Sequence, residues 1–74
     1  MIVYEFQKNS SEKLLIRFTE YNGKSLIDLR VFFKVDGSGD EWKPTRKGIA
    51  MSIDHLPELH KGIEEAHRKW TKEK

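Results

Sequence analysis

The chain has 74 residues, of which 36% are hydrophobic and 35% charged, with a net charge of +2 and no cysteine. This length suits a single domain over residues 1–74, and a domain so small buries only about 60% of the surface that its unfolded chain exposes. The lack of cysteine excludes disulfides and thiolate metal sites, so we expect oligomerisation to add stability. Few residues remain for an enzyme pocket, and a binding module is the better hypothesis.

The N-terminus lacks the basic region and apolar stretch of a signal peptide. No apolar run approaches the ~20 residues that span a bilayer. We therefore expect a protein without membrane contact that acts in the cytoplasm, free or associated with the nucleoid. The first 49 residues carry the whole positive excess, and Lys43, Arg46 and Lys47 form a cluster without an intervening acid. That cluster is either a solvated loop or a phosphate contact.

Residues 13–51 have the pattern of an antiparallel sheet. A strand over 14–21 leads into Asn22-Gly23, the strongest short signal for a hairpin with a type I′ turn, and an alternating strand returns over 24–35. After a glycine-containing loop over 36–40, we expect a short strand over 41–43 that ends at Pro44 and a separate one over 49–51. Residues 1–11 are predicted to form an edge strand, over 2–7, or an extended arm.

From about residue 53 the hydrophobic period becomes that of a helix, which we predict over 53–71. The apolar stripe is too short for a self-sufficient coiled coil, so it packs on the sheet, on a partner helix, or on both. Sheet and helix together predict the α+β class. The stripe consists of Leu56, Leu59, Ile63, Ala66 and Trp70.

No pattern in the chain supports catalysis or a cofactor. His60, Glu64 and His67 follow helical spacing, but they do not form a recognised zinc motif, and solvated helix residues are the better interpretation. The loop after Asp36 begins like a calcium site but lacks its glycine and its final glutamate. Without a cysteine, or a serine beside a base, nucleophilic catalysis has no support. We expect no enzyme activity, no metal and no cofactor.

Basic and aromatic residues are interleaved along the predicted strands, which is what single-stranded nucleic acid requires. Unpaired bases stack on aromatic rings at ~1–3 kcal/mol each, while lysine and arginine meet the phosphates. Alternatively, the aromatic rings belong to the core and the lysine and arginine side chains only keep the chain soluble. Phe18 is expected in the core, and of Phe32 and Phe33 one must be core and one free. The candidate binding residues from this pattern are Arg17, Tyr21, Lys24, Arg30, Phe33, Lys34, Trp42 and Lys43.

Two motifs follow each other along the chain. The first runs over 21–33, Tyr-Asn-Gly-Lys-Ser-Leu-Ile-Asp-Leu-Arg-Val-Phe-Phe, and the second over 42–51, Trp-Lys-Pro-Thr-Arg-Lys-Gly-Ile-Ala-Met. In this order they resemble the C-terminal domain of the transcriptional coactivator positive cofactor four, a Whirly-like family that binds single-stranded DNA. The resemblance covers roughly residues 12–70, and the short chain is similar to small bacterial members of the YdbC type.

The resemblance implies a homodimer in which each chain supplies a curved four-stranded antiparallel sheet and one helix, with the helices at the dimer interface. It also implies stacking by Tyr21 and Phe33. A basic position of the family falls on Thr19, which carries no charge, and Arg17 on the same face compensates. Trp42 departs from the family and adds a ring. The implied phosphate-binding residues are Lys24, Arg30, Lys43, Arg46 and Lys47.

We therefore predict a homodimer that binds single-stranded DNA with little sequence preference, in transcription regulation as a coactivator or in replication and repair. Two alternatives stay open. An RNA-binding protein would use the same face, because stacking does not sense the 2′-hydroxyl. A protein–protein adaptor of the transcription machinery would instead bind no nucleic acid.

Overall fold

The computed structural model describes residues 1–37 and 39–73; Ser38 of the predicted loop and Lys74 lie outside them. Four antiparallel strands form one sheet in the order β1-β2-β3-β4. The strands are β1 (Ile2–Gln7), β2 (Glu12–Tyr21), β3 (Lys24–Lys34) and β4 (Trp42–Ser52). A single 3-10 turn (Ile53–His55) leads into helix α1 (Leu56–Glu73). This arrangement confirms the predicted α+β sheet followed by one helix.

The hairpin between β2 and β3 forms at Asn22-Gly23, as predicted. Both residues have positive φ, 51° at Asn22 and 78° at Gly23, which a type I′ turn requires and which asparagine and glycine tolerate best. The strands pair without interruption from Tyr21 opposite Lys24 to Glu12 opposite Phe33. Because the register is unbroken, each side chain of β2 and β3 can be assigned to a face of the sheet.

The prediction of two short strands around Pro44 is wrong, since β4 is continuous from Trp42 to Ser52. Proline is tolerated because β4 lies at the edge of the sheet, where half of the backbone groups need no ladder partner. The register shifts between the pairs Phe32–Pro44 and Arg30–Gly48. A bulge containing Thr45 therefore accommodates the interruption, and the Thr45 hydroxyl donates to the Val31 carbonyl oxygen at 2.7 Å.

β1 is an edge strand and not a detached arm. It pairs with β2 from Tyr4 opposite Ile16 to Gln7 opposite Lys13. The turn that precedes β2 is held by Asn9, whose side-chain oxygen accepts from the backbone amides of Ser11 and Glu12 at 3.0 and 2.8 Å.

The two faces of the sheet differ in chemistry. The face that we name the cationic face carries, on β2 and β3, Lys13, Leu15, Arg17, Thr19, Tyr21, Lys24, Leu26, Asp28, Arg30, Phe32 and Lys34. The opposite face, named the apolar face, carries Glu12, Leu14, Ile16, Phe18, Glu20, Ser25, Ile27, Leu29, Val31 and Phe33. Both faces contribute to the small core, because Leu15 and Phe32 are buried on the first, and Ile27 and Val31 on the second.

Helix α1 begins on the apolar face and then extends away from it. Ser52 caps the preceding 3-10 turn by accepting from the amide of Asp54. Ile16, Ile27 and Leu29 face Leu56, Leu59, His60 and Ile63 across a groove of about 190 Å³. Ile63 and Trp70 are 60% and 63% exposed. In the chain as far as it is described, no helix is long and apolar enough to cross a membrane.

Candidate nucleic-acid interface

Most of the predicted binding residues lie together on the cationic face. Alternation along β2 and β3 places Arg17, Thr19, Tyr21, Lys24, Arg30 and Lys34 there. Trp42 joins them, because it pairs with Lys34 at the start of β4. Three strands therefore contribute to one surface that holds both cations and rings.

The remaining candidates lie elsewhere. Phe33 pairs with Lys43, and alternation puts both on the apolar face. Arg46 and Lys47 follow Thr45 in the bulge of β4 and are exposed. The Lys47 ammonium lies 3.7 Å from the carboxylate of Glu12, the residue opposite Phe33. Phe33, Lys43 and Lys47 thus form a second group at the end of the sheet where β4 begins.

The aromatic side chains differ in how much ring they expose. Tyr21 at the hairpin is 69% exposed and Phe33 is 40% exposed, so both offer surface for stacking. Phe32 is buried, and the guanidinium carbon of Arg17 lies 5.1 Å from its ring centre. One of the two adjacent phenylalanines is thus core and the other free, as predicted. Phe18, predicted to be core, is instead 37% exposed in the single chain and does not line the groove between the apolar face and α1.

Asp28 lies at the centre of the cationic face, between two arginines, and is 2% exposed. Arg17 is its direct partner across β2 and β3, and its Nε donates to Asp28 Oδ2 at 2.7 Å. Arg30 approaches from two residues along β3, donating to Asp28 Oδ1 from Nε at 3.0 Å and from Nη2 at 2.8 Å. Its Nη1 donates to the backbone oxygen of Thr45 at 3.1 Å. The three side chains form one connected group that also holds the bulge of β4.

The pKa of Asp28 reflects two opposed effects. Burial raises it, but the hydrogen bonds from Arg30 and Arg17, together with their charges, outweigh burial and hold the pKa below its usual range. The hydrogen bond to Asp28 correspondingly raises the pKa of Arg30. Asp28 is therefore ionised at neutral pH, and its negative charge lies between two guanidinium groups.

A second carboxylate controls the charge near Phe33. Hydrogen bonding from Asn9 lowers the pKa of Glu12, against a smaller opposing effect of burial, and the charges of Lys8 and Lys47 lower it further. Glu12 therefore stays ionised and reduces the positive potential beside Lys47. These are exposed ion pairs, which contribute little to stability.

The predicted binding residues omit two residues of the cationic face, although alternation in the sequence places Lys13 with Arg17 and Asp28 with Arg30. Lys13 reaches from β2 to β4, where its ammonium lies 4.5 Å from the centre of the Trp42 ring, a cation–π contact. Alternation with Arg17 was a signal that could have included it. The role of Asp28 had no comparable signal, because alternation alone cannot distinguish a buried acid from an exposed one.

No group of metal-ligating side chains that could hold an ion was found in residues 1–37 and 39–73. The chemistry that the cationic face offers is the binding of anions and planar rings.

Comparison with solved structures identifies the same fold in a bacterial protein. The chain is similar to BPSL1147, a PC4 homolog from Burkholderia pseudomallei K96243, in its orthorhombic crystal form, with a TM-score of 0.81 and 28% identity over 92% of this chain and 89% of that one. The tetragonal form gives a TM-score of 0.79 and 27% identity over 90% and 96% of the two chains. No curated protein sequence is significantly similar to the chain.

A family model adds the sequence relationship. The model described as Transcriptional Coactivator p15 (PC4) matches residues 8–62, which include β2, β3, β4 and the first part of α1. The match therefore contains the hairpin, the bulge and every predicted binding residue. The chain belongs to the PC4 family of nucleic-acid-binding proteins.

Proposed function

We propose that this protein binds single-stranded DNA with little sequence preference, as a homodimer that acts in transcription or in replication and repair. The observation that carries the proposal is the cationic face itself, where Arg17, Arg30 and Lys34 lie on the same surface as the rings of Tyr21 and Trp42. Unpaired bases can stack on such rings while the cations meet phosphates. Duplex DNA hides its bases, so the rings would contribute nothing to binding it.

The shape of the single chain supports the homodimer. Its radius of gyration is 14.5 Å, whereas a compact chain of this length has about 11 Å. Its accessible surface is 6121 Å², against about 4,800 Å² expected for a folded monomer of this mass. The excess of about 1,300 Å² falls within the range that one subunit buries in a stable homodimer. The exposed stripe on α1, with Ile63 and Trp70, is the surface that we assign to that interface.

The test is an anisotropy titration with one sequence prepared as single-stranded DNA, duplex DNA and single-stranded RNA, each at two salt concentrations. We expect the single-stranded DNA to bind more tightly than the duplex. Its affinity should fall with salt at a logarithmic slope of about −0.7 per phosphate contacted. Equal affinity for single-stranded and duplex DNA would contradict the proposal.

The same titration separates the two alternatives. Tighter binding of the RNA than of the DNA would identify an RNA-binding protein. An absence of salt-dependent binding to all three nucleic acids would leave the adaptor of the transcription machinery as the better assignment.

A further inference from the structure

Asp28 occupies an unusual position for an acidic residue, because it lies buried at the centre of a face that is proposed to bind an anionic polymer. By charge alone it opposes that function. Its contacts suggest a different effect. Asp28 binds Arg17 through Nε, which leaves the Nη donors of Arg17 without a hydrogen bond to any other described residue. The side chain of Arg17 is still 28% exposed, so these donors can be reached from solvent.

The orientation of Arg17 is restricted on two sides. Asp28 holds its Nε at 2.7 Å, and the Phe32 ring lies against the guanidinium with 5.1 Å between the guanidinium carbon and the ring centre. Arg30 is held still more completely, by Asp28 and by the Thr45 carbonyl oxygen. A planar guanidinium that is already oriented loses less conformational entropy when it binds a phosphate.

The net stability gained from such a group is small. Removing a carboxylate from water is energetically costly, and a buried ion pair is often no more stabilising than apolar residues of the same volume. What Asp28 supplies, and an apolar residue could not, is a defined direction for two guanidinium groups.

We propose that Asp28 is a positioning residue for nucleic-acid binding, which orients Arg17 and Arg30 so that the Nη edge of Arg17 meets a backbone phosphate. This inference rests on the proposed function and assigns a role within it. Asp28 itself does not touch the nucleic acid. The negative charge of Asp28 repels phosphates, but it is tolerated because orienting the two arginines adds more to the affinity than removing that repulsion would.

The test compares two substitutions that remove one negative charge from the same face. Asp28→Asn keeps the volume of the side chain but removes its charge. Glu5→Gln is the matched control, because Glu5 lies opposite Leu15 on this face and pairs with the Lys13 ammonium at 3.3 Å without holding an arginine. Attraction between charges alone predicts tighter binding of single-stranded DNA by both variants.

If Asp28 positions the arginines, Asp28→Asn weakens the affinity for single-stranded DNA by about tenfold, as expected for a charge-assisted hydrogen bond, whereas Glu5→Gln binds as tightly as the parent or more tightly. Circular dichroism and sedimentation check that both variants fold and assemble like the parent. If Asp28→Asn binds as well as Glu5→Gln does, the inference is overturned. If the unsubstituted protein does not bind single-stranded DNA, the proposed function fails instead.

A second measurement does not depend on DNA. In ¹⁵N spectra of the free protein, the Nε–H groups of Arg17 and Arg30 should exchange slowly with water, and Asp28→Asn should accelerate both. Should Asp28→Asn not fold, Arg17→Lys serves in its place, since it keeps the charge and loses the Nε donor. We expect Arg17→Lys to weaken binding about fivefold with an unchanged salt slope; unchanged affinity would refute the positioning role.

Discussion

At the scale of single residues, two adjacent phenylalanines of β3 have opposite surroundings. Phe32 is covered by Arg17 on the cationic face, whereas Phe33 stays 40% exposed on the apolar face. A ring covered by a cation cannot stack on a base, so the free ring is the one available for binding. Tyr21 lies on the opposite face of the sheet from Phe33. A single DNA strand whose bases stack on both rings must therefore pass around the edge of the sheet or contact two protein chains.

The stacking role of Phe33 can be tested against a ring of similar exposure. We expect Phe33→Ala to reduce the free energy of binding to single-stranded DNA by about 1–3 kcal/mol, because one base loses its stacking partner. Phe18→Ala is the control, since Phe18 lies on the same face and is 37% exposed but lies among no predicted phosphate ligands. Anisotropy titration measures both; equal losses in the two variants would remove Phe33 from the site.

The lowered pKa of Asp28 also leads to a prediction of how the free energy of unfolding depends on pH. Its pKa is lower in the folded chain than in the unfolded one, so its stabilising effect is present at neutral pH and is lost as the pH falls below about 4 toward the folded value. At pH 7 we expect Asp28→Asn to lower the free energy of unfolding by about 1–3 kcal/mol, less than for a fully buried pair because both arginines keep some contact with water.

Urea denaturation of the parent and of Asp28→Asn at pH 7 and at pH 3 provides the measurement. The difference between the two proteins should shrink at the lower pH, because the aspartate is then largely protonated in the unfolded chain, which removes much of the preference of its charged form for the folded state. A difference that is constant with pH would mean that Asp28 contributes through packing and not through its charge.

At the scale of elements, the close contact between β3 and β4 depends on a glycine. Gly48 pairs with Arg30 next to the bulge, and a Cβ atom there would lie 2.8 Å from the Arg30 Cα and even closer to the Leu29 carbonyl oxygen. These are backbone atoms, which cannot move aside as a flexible side chain can. The glycine is therefore required by the approach of two strands and not by its own backbone angles.

We expect Gly48→Ala to lower the free energy of unfolding by about 1–3 kcal/mol, the usual cost of overpacking. Gly62→Ala is the matched control on α1, where a Cβ atom would meet no other atom within 4 Å. It should stabilise the chain by about 0.5–1 kcal/mol, because alanine favours a helix over glycine. Urea midpoints measure both, and a neutral Gly48→Ala would show that β4 can move away from β3.

At the scale of the whole molecule, the chain exposes more surface than a folded monomer of its mass, and part of that surface is apolar side chains of α1. Ile63 and Trp70 are exposed in the single chain although they continue the stripe of Leu56 and Leu59. The dimer interface proposed above would account for an amphipathic helix that extends away from its own sheet.

If α1 forms the proposed dimer interface, a charge placed on this stripe has a strong effect on assembly. We expect Ile63→Glu to weaken dimerisation at least tenfold, because a buried isoleucine contributes about 1.5–3 kcal/mol and a buried carboxylate is unfavourable. Lys61→Glu is the control, since helical spacing puts Lys61 on the opposite side of α1 from the stripe. This substitution also changes the net charge more than Ile63→Glu does. Sedimentation of the two variants gives the result; a dimer that survives Ile63→Glu unchanged would place the interface elsewhere.

Local patterns in the sequence were enough to predict the hairpin at Asn22-Gly23, the alternation of β2 and β3, and the helix that follows them. Each depends on neighbours within a few residues: on backbone angles that only certain residues tolerate, or on a period of 2 or 3.6. The motifs of residues 21–33 and 42–51 similarly indicated the family that the comparisons confirm.

Only the tertiary structure showed that β4 is continuous through Pro44, that Phe33 and Tyr21 lie on opposite faces, and that Asp28 holds Arg17 and Arg30. These properties depend on which strand is at the edge and which side chains meet across strands, and residues distant in sequence determine both. The chain is short, has no cysteine and carries a modest net positive charge. On one face, a buried aspartate lies among the cations Lys13, Arg17, Lys24, Arg30 and Lys34. The exposed stripe of α1 is the surface that the proposed dimer would bury, because a core this small supplies little stability by itself.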